Sequence, residues 1–152
     1  MLYFISGEKY EGDFQNGFIH GKGIFYYKNH SRYEGDYKNC QKDGKGIFYF
    51  RDGSIYEGDF KNNKREGYGK FFYNNGDLYV GFFKKGVPEG KGILYFSDGI
   101  RFKGEWKNSR AEGKGIAYYN NGDRETGYYL AGKKIGKHRT LKANGKVKSI
   151  IY

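Results

Sequence analysis

Aromatic and glycine residues alternate with charged residues near the start of the chain. Residues 10–14 read Tyr-Glu-Gly-Asp-Phe, and residues 21–27 read Gly-Lys-Gly-Ile-Phe-Tyr-Tyr. An alternation of period two is typical of a β-strand whose two faces have different surroundings. A short polar stretch separates the two segments, so together they predict one antiparallel hairpin.

This hairpin pattern recurs every 23 residues. The first segment returns at residues 33–37, 56–60, 79–83 and 102–106, and in a weaker form at 125–129. The second segment returns at residues 44–50, 67–73, 90–96 and 113–119. Each copy closes on a turn pair, namely Asn29-His30, Asp52-Gly53, Asn75-Gly76, Asp98-Gly99, Asn121-Gly122 and Asn144-Gly145. Asn-Gly and Asp-Gly supply the positive φ angles of a tight turn, so the chain is predicted to be a tandem array of hairpins.

Glycines inside both strands suggest how the strands pair. Glycine normally destabilises a strand interior, so its recurrence there needs a reason. Pairing Phe14 with Gly23 sets Gly12 opposite Phe25 and Tyr10 opposite Tyr27. We hypothesise this register because it lays aromatic rings over glycines, whose missing side chains make room for them.

The pattern resembles the MORN (membrane occupation and recognition nexus) repeat family, whose unit reads Tyr-x-Gly-x-aromatic, a polar loop, Gly-x-Gly, an aromatic residue and Asp-Gly. The resemblance implies an all-β fold, an elongated single-layer antiparallel sheet of tandem 23-residue β-hairpins. It divides the chain into a partial repeat at 1–9, six repeats over 10–147 and a cap strand at 148–152. The repeats start at residues 10, 33, 56, 79, 102 and 125. The half-unit at 1–9 also suggests a fragment of a longer array.

The sixth repeat departs most from this pattern. Glu125 replaces the tyrosine, His138 replaces the second glycine of Gly-x-Gly, and Leu141 replaces the aromatic residue. Divergence of a terminal repeat is expected of a cap.

Composition supports an aromatic core. The chain has 26 Gly, 17 Tyr and 13 Phe among 152 residues, which is too aromatic for a disordered or collagen-like chain. Its one cysteine, Cys40, excludes an intrachain disulfide and suits a reducing compartment. No segment has the length of a membrane span or the character of a signal peptide. These features predict a cytoplasmic protein, with the cytoskeleton or a membrane as its place of association.

An apolar stripe on the face opposite the glycines predicts a surface for a protein partner. In the related family the second row of this stripe is often a small polar residue, so the aromatic row is a departure. Contiguous exposed apolar residues usually mark contacts, although ordinary cross-strand packing is the alternative explanation. The predicted partner-binding residues are Ile24, Tyr26, Ile47, Tyr49, Phe72, Ile93, Tyr95, Ile116 and Tyr118.

The charge of the chain is concentrated at one end. The net charge is +11, and residues 132–152 contain seven Lys or Arg and no Asp or Glu. Polybasic segments at a membrane gain about 1 kcal/mol per Lys or Arg, and the family resemblance implies phospholipid contact. The alternative is a solvated cap that protects an edge strand. The candidate residues for an anionic phospholipid surface are Lys133, Lys134, Lys137, Arg139 and Lys142.

No catalytic or metal-binding pattern is present. The histidines His20, His30 and His138 fall in different repeats, and their spacing does not fit zinc. The Gly-Lys-Gly segments lack the spacing and the following helix of a phosphate-binding loop. We therefore expect no enzyme activity, no cofactor and no small-molecule substrate. A nucleic-acid partner is disfavoured because no nucleic-acid-binding motif appears and the aromatic residues occupy core-periodic positions.

These observations predict an interaction scaffold that binds protein partners, or a second copy of itself, in a cytoskeletal or membrane-skeleton assembly. Two alternatives remain open. The chain is a peripheral phospholipid-binding module that uses its basic C-terminal segment, or it is the targeting module of a larger enzyme.

The divergent end of the chain predicts a dimer contact made by Leu141, Ile150, Ile151 and Tyr152. Replacing Ile150 or Tyr152 by Asp should then convert a dimer to a monomer, because a charge in an apolar interface is left unpaired. Light scattering measures the solution mass, and an unchanged mass would discard the idea.

Overall fold

The computed structural model describes residues 1–152 and consists of β-strands joined by turns. Fourteen strands form one antiparallel sheet whose spatial order is the chain order, so the predicted sheet of successive hairpins is confirmed. The strands are β1 (Leu2–Tyr3), β2 (Lys9–Gln15), β3 (Phe18–Tyr26), β4 (Arg32–Lys38), β5 (Gln41–Tyr49), β6 (Ile55–Lys61), β7 (Lys64–Phe72), β8 (Leu78–Lys84), β9 (Val87–Tyr95), β10 (Arg101–Lys107), β11 (Arg110–Tyr118), β12 (Arg124–Leu130), β13 (Lys133–Leu141) and β14 (Val147–Ile151). The chain has no helix with the length and hydrophobicity needed to traverse a lipid bilayer.

Contacts divide the chain into two compact units. The N-terminal unit comprises Met1–Asn74 and Lys84–Gly86, and the C-terminal unit comprises Asn75–Phe83 and Val87–Tyr152. Both units have the same two faces. The ring face carries the buried aromatic residues Tyr10, Tyr33, Tyr56, Tyr79 and Phe102. The charged face is the opposite one, and it carries Glu11, Ile24, Tyr26 and their equivalents in the other repeats.

The tight turn of each repeat lies in the middle of the unit, where the sequence shows only a polar stretch. In the first repeat Asn16 and Gly17 both have positive φ, of 51° and 80°, and the pair Asn39-Cys40 has 49° and 63°. Two successive positive φ angles define a two-residue type I′ hairpin turn. Asn tolerates this conformation well, which explains its presence at the first position of most of these turns.

The turn pairs at the repeat ends, which include Asp-Gly and Asn-Gly, do not have the predicted conformation. Only the second residue has positive φ there, as at His30 (68°) and Gly53 (88°). The first residue uses its side chain: Asp52 accepts a hydrogen bond from the Ser54 amide at 2.9 Å, and Asn29 does the same for Ser31 at 3.0 Å. These are Asx turns in a longer connection, so the predicted role of the pairs as tight hairpin turns was wrong.

The predicted strand register was also wrong. Gly12 pairs with Gly23, and Tyr10 pairs with Phe25. The two-residue turn pairs Gln15 with Phe18, and a bulge then shifts the register between Gly12 and Phe14. The observed pairing follows from these two features, neither of which a simple count of residues includes.

Glycine pairs give each buried tyrosine ring its space. A Cβ atom added to Gly35 would lie 2.6 Å from the Tyr33 hydroxyl, and one added to Gly46 would overlap the same ring. Tyr33 is fully buried, and its hydroxyl donates a hydrogen bond to the Asp36 carbonyl at 3.0 Å. The idea that glycines make room for rings therefore holds, with one ring lying over two paired glycines.

Ring contacts connect each repeat to the next. In the N-terminal unit Tyr33 meets Tyr37 edge-on at 5.2 Å between centroids, and Phe60 of the following repeat at 4.9 Å. In the C-terminal unit Tyr79 meets Trp106 at 5.2 Å in the same way. Such T-shaped pairs contribute about 0.5–1.5 kcal/mol beyond the area they bury. They form the core of a sheet that has no second layer.

The hairpin β12–β13, predicted as a sixth repeat, exchanges two residues and keeps the packing. His138 stands where other repeats have the second glycine, and its ring lies over Gly127 in the space of the missing tyrosine. Glu125, which replaces that tyrosine, approaches His138 Nδ1 at 2.9 Å. The edge-on series continues through Tyr129 and His138 to Tyr152 at centroid distances of 5.2 and 5.0 Å.

Gly46→Ala should destabilise the protein by about 2 kcal/mol or more, because the added methyl group overlaps a ring that is fully buried and hydrogen-bonded. Urea unfolding measures the change. Gly53→Asn is the matched control: Gly53 has φ +88° with no atom within 4 Å, and Asn tolerates that conformation. Equal stabilities for Gly46→Ala and the wild type would contradict the role assigned to the glycine pair.

Candidate functional site

A groove crosses strands β2–β7 on the charged face of the N-terminal unit. Its floor is the backbone of the paired glycines, whose Cβ positions point to the ring face, and its volume is about 720 Å³. Alternation along each strand places a row of side chains on either side of the glycines. One row contains Glu11, Ile24, Glu34, Ile47, Glu57 and Lys70, and the other contains Lys22, Lys45 and Tyr68. We call this the N-terminal groove.

Charges in the N-terminal groove occur as pairs. Lys22 Nζ lies 2.7 Å from Asp36 Oδ1, and Lys45 Nζ lies 2.5 Å from Asp59 Oδ1. The hydrogen bond from Lys22 lowers the pKa of the Asp36 carboxyl, and Asp36 raises the pKa of Lys22. Each aspartate also accepts a backbone amide at the bulge, as Asp36 does from Lys45 at 2.9 Å. The groove therefore offers a ligand both signs of charge in a repeating order.

A second groove lies on the charged face of the C-terminal unit and has a volume of about 600 Å³. Its charged side chains are Lys114, Arg124, Lys137 and Arg139. Its other side chains are Ile116, Tyr118, Thr126, Tyr128, Leu141 and Val147. It contains four cations and no carboxylate, and we call it the C-terminal groove.

The nine predicted partner-binding residues are not in one place. Ile24 and Ile47 line the N-terminal groove, and Ile116 and Tyr118 line the C-terminal groove. Ile93 is half-buried and lines neither groove, whereas Phe72 and Tyr95 are exposed, at 38% and 37%.

Neighbouring cations cover three of the predicted tyrosines. Lys9 Nζ lies 4.5 Å from the Tyr26 ring centroid, and the Tyr26 hydroxyl donates to Glu11 at 3.3 Å. The Arg32 guanidinium lies 4.2 Å from the Tyr49 ring, and Arg101 lies 4.4 Å from the Tyr118 ring. Packing against these cations accounts for three of the predicted tyrosines, whereas Ile24, Ile47 and Ile116 line a groove.

The five candidate phospholipid residues are likewise divided. Lys137 and Arg139 line the C-terminal groove. Lys134 instead lies on the ring face, 2.7 Å from Glu125, and Lys142 lies 2.7 Å from Asp123. Burial opposes ionisation of Glu125, but hydrogen bonds from Lys134 and Tyr119 hold its pKa below the ordinary value. Two of the five cations are thus neutralised, and only part of the set faces one groove.

The predicted dimer residues have mixed surroundings. Leu141 lines the C-terminal groove, and Ile151 is 80% exposed on β14. Tyr152 packs edge-on against His138, and Lys134 Nζ lies 5.0 Å from its ring centroid. The dimer contact stays a prediction, and Tyr152 also has a role within its own chain.

Two cations on the ring face were missed by sequence reasoning. Lys42 Nζ lies between the rings of Tyr27, Phe48 and Tyr33, at 5.2, 4.9 and 5.3 Å from their centroids. Arg65, one repeat later, lies 5.0 Å from the Phe71 ring and donates to the Gly86 carbonyl. The sequence contains a signal for this contact. Lys42 and Arg65 occupy the same position in consecutive repeats, beside a row of aromatic residues, which is a pattern that fits cation–π packing.

In the C-terminal unit the same position is Pro88, Ala111 and Lys134 in successive repeats, and Leu94 and Ala117 stand where earlier repeats have Phe48 and Phe71. The small residues Ala111 and Ala117 leave a ring-face pocket of about 490 Å³ whose walls include Trp106 and Tyr129. The ring face of the C-terminal unit is therefore more open than that of the N-terminal unit.

Comparison with known proteins supports the repeat assignment. The MORN repeat sequence model matches residues 10–32, 33–55, 56–78, 79–101 and 102–124. No curated protein sequence matches the chain.

Two solved structures are similar in fold. The first is the TCP10 domain of Danio rerio CPAP in complex with a peptide of Danio rerio STIL, with TM-score 0.58 and 14% identity over 86% of this chain. This chain spans only 58% of that domain. The second is the TCP domain of Drosophila melanogaster SAS-4 (dCPAP) in complex with a proline-rich motif of Ana2 (dSTIL). It has TM-score 0.51 and 15% identity over 87% of this chain and 84% of that one. At these identities the likeness is one of fold.

Lys42 should make stability depend on pH. Burial lowers its pKa from 10.5 to about 8 in the folded protein, whereas the unfolded chain keeps the ordinary value. Between these two values the unfolded chain binds more protons, so the contribution of Lys42 to the free energy of unfolding rises with pH. The difference in that free energy between wild type and Lys42→Met, measured by urea unfolding, should shift in favour of the wild type from about pH 7.5 to about pH 10.

Lys22→Met is the control for this titration. Lys22 is exposed, and its pKa is raised by Asp36, so no such gain is expected over the same interval. Equal pH dependence for the two variants would contradict the buried environment assigned to Lys42.

Proposed function

Because this chain belongs to the MORN repeat family, we propose that it is a non-enzymatic scaffold whose N-terminal groove binds an extended segment of a partner protein. The observation that carries this proposal is the groove itself. It crosses three successive hairpins and presents glutamate, isoleucine and lysine side chains that recur with the repeat. A ligand lying across the strands therefore meets related surroundings at regular intervals.

The interval suits a polypeptide. Neighbouring strands are about 4.8 Å apart, so equivalent residues of consecutive hairpins are about 9.6 Å apart. A polyproline II segment has three residues per turn with a rise of about 3.1 Å each, which gives a period of about 9.3 Å. Every third residue of such a segment would then face glutamate, isoleucine and lysine in the first two repeats, and Glu57, Lys70 and Tyr68 in the third.

The groove has the chemistry for such a ligand. A polyproline II backbone makes no hydrogen bonds of its own, so its carbonyl and amide groups need partners. Lys22 and Lys45 offer donors, and Glu34 and Glu57 offer acceptors along the groove. Ile24 and Ile47 are half-buried and supply apolar contact between these polar groups.

The two structural neighbours support a protein partner. Both are complexes, the Danio rerio domain with a peptide and the Drosophila melanogaster domain with a proline-rich motif. A fold of this kind thus accommodates peptide ligands in other proteins. Placement of this chain in a cytoskeletal assembly is part of the same proposal.

The alternatives have less support. The five candidate phospholipid residues do not form one surface, and Lys134 and Lys142 are already ion-paired. Phospholipid binding, self-association and service as the targeting module of a larger enzyme stay predictions.

Selection from a displayed library of linear peptides tests the proposal. Peptides that bind the wild-type chain should lose about tenfold or more in affinity for the double variant Ile24→Asp and Ile47→Asp, measured by fluorescence anisotropy. Two apolar contacts would be replaced by charges that also repel acidic ligand groups. Circular dichroism and thermal melting check that the double variant stays folded.

Ile93→Asp is the matched control, because Ile93 occupies the same repeat position and lines neither groove. It should leave affinity for the selected peptides unchanged. Recovery of no peptide, or equal loss in the control and the double variant, would overturn the assignment of the N-terminal groove.

A further inference from the structure

The acidic rows of the charged face do not continue along the chain. The position of Glu11 is acidic in the first three repeats and then becomes Val80, Lys103 and Thr126. The position of Asp13 is acidic in the same three repeats and then becomes Phe82, Glu105 and Tyr128. The lysine of Gly-Lys-Gly nevertheless persists at 91, 114 and 137.

Loss of these carboxylates removes the partners of the lysines. In the N-terminal unit Lys22 is ion-paired with Asp36, which lies opposite it on the neighbouring strand. In the C-terminal unit Lys114 lies opposite Tyr128, and Lys137 lies opposite Ile151. Neither lysine makes an ion pair.

Two arginines add to the same groove. Arg124 occupies the position of Arg32, which has Glu34 at 4.0 Å, but the residue equivalent to Glu34 is Thr126. Arg139 replaces the isoleucine found at Ile116. The C-terminal groove thus gathers four cations that make no ion pair, which gives the groove a positive potential.

We propose that the C-terminal groove is a second binding site, which takes an acidic segment of a partner protein. Lys114 and Lys137 are two strands apart, which corresponds to about 9.6 Å. Carboxylates on every third residue of an extended segment have nearly this separation. Arg124 and Arg139 flank the line between the two lysines and extend the positive surface to neighbouring acidic residues.

The shape of the site favours a peptide over a membrane. The four cations line a concave groove of about 600 Å³, together with Tyr118, Tyr128, Leu141 and Val147. A polypeptide can enter such a groove and place apolar atoms against these walls, whereas a lipid headgroup layer presents a broad surface. The site is separate from the N-terminal groove, so the two proposals stand independently.

A synthetic peptide of four Glu-Pro-Pro triplets with a fluorescent label tests this site on the full chain by anisotropy. The wild type should bind it saturably, with affinity that falls as salt rises. The double variant Lys114→Glu and Lys137→Glu should lose about tenfold or more in affinity, because the charge pairs become repulsive. The same variant should gain binding to a Lys-Pro-Pro peptide, which a merely unfolded variant would not.

Lys38→Glu with Lys61→Glu is the control with the same change in net charge, since both lysines are exposed and line neither groove. It should keep its affinity for the Glu-Pro-Pro peptide. Three results would overturn the proposal: no saturable peptide binding, equal loss in both double variants, or binding of phosphatidylserine vesicles that an excess of the peptide does not displace. The last result would assign the cations to a membrane.

Discussion

A tyrosine ring lying over a pair of glycines is the contact on which this sheet depends. In a sheet with no second layer, apolar side chains have no opposing layer against which to bury. Here Tyr33 becomes fully buried by lying flat along its own hairpin, over Gly35 and Gly46, with rings of its own and the next repeat against its edges. The sheet thus supplies its own cover, and each repeat completes the burial of the one before it.

The groove lies on the opposite face of the same positions. Residues at the middle of each hairpin point to the ring face, so bare backbone separates the rows of side chains on the charged face. Side chains of the charged face can then vary, since they contribute little to the aromatic core. The first three repeats keep paired charges there, whereas the charged residues that line the C-terminal groove are all cations.

Much of this fold was predictable from the sequence. The period of 23 residues, the two-residue alternation and the conjunction of rings with glycines all follow from reading residues 10–27 and their repeats. The strand register was not predictable, because the bulge after Gly12 adds residues to one strand only. The alternation of residues in the sequence does not reveal this bulge. In the sequence, Glu125 and His138 look like simple divergence. Only the structure shows that the His138 ring, on the partner strand, fills the space left by the tyrosine that Glu125 replaces.

The site was predictable in part. Ile24 and Ile47 line a groove as an apolar stripe suggests, but Tyr26 and Tyr49 are covered by Lys9 and Arg32. Sequence periodicity assigns a residue to a face and says nothing of which long side chain folds over it. Lys42 shows the reverse case, since a lysine that looks like surface charge lies among three rings.

Uniform register between consecutive hairpins also bears on how such chains change over generations. Gain or loss of a whole unit leaves every other ring above its own glycines and lengthens or shortens the sheet by two strands, about 9.6 Å. Insertion of a single residue within a strand, in contrast, turns each following side chain to the wrong face. Duplication in whole units is therefore the tolerated route, and ligand length becomes a quantity that can evolve in steps without redesign of the core.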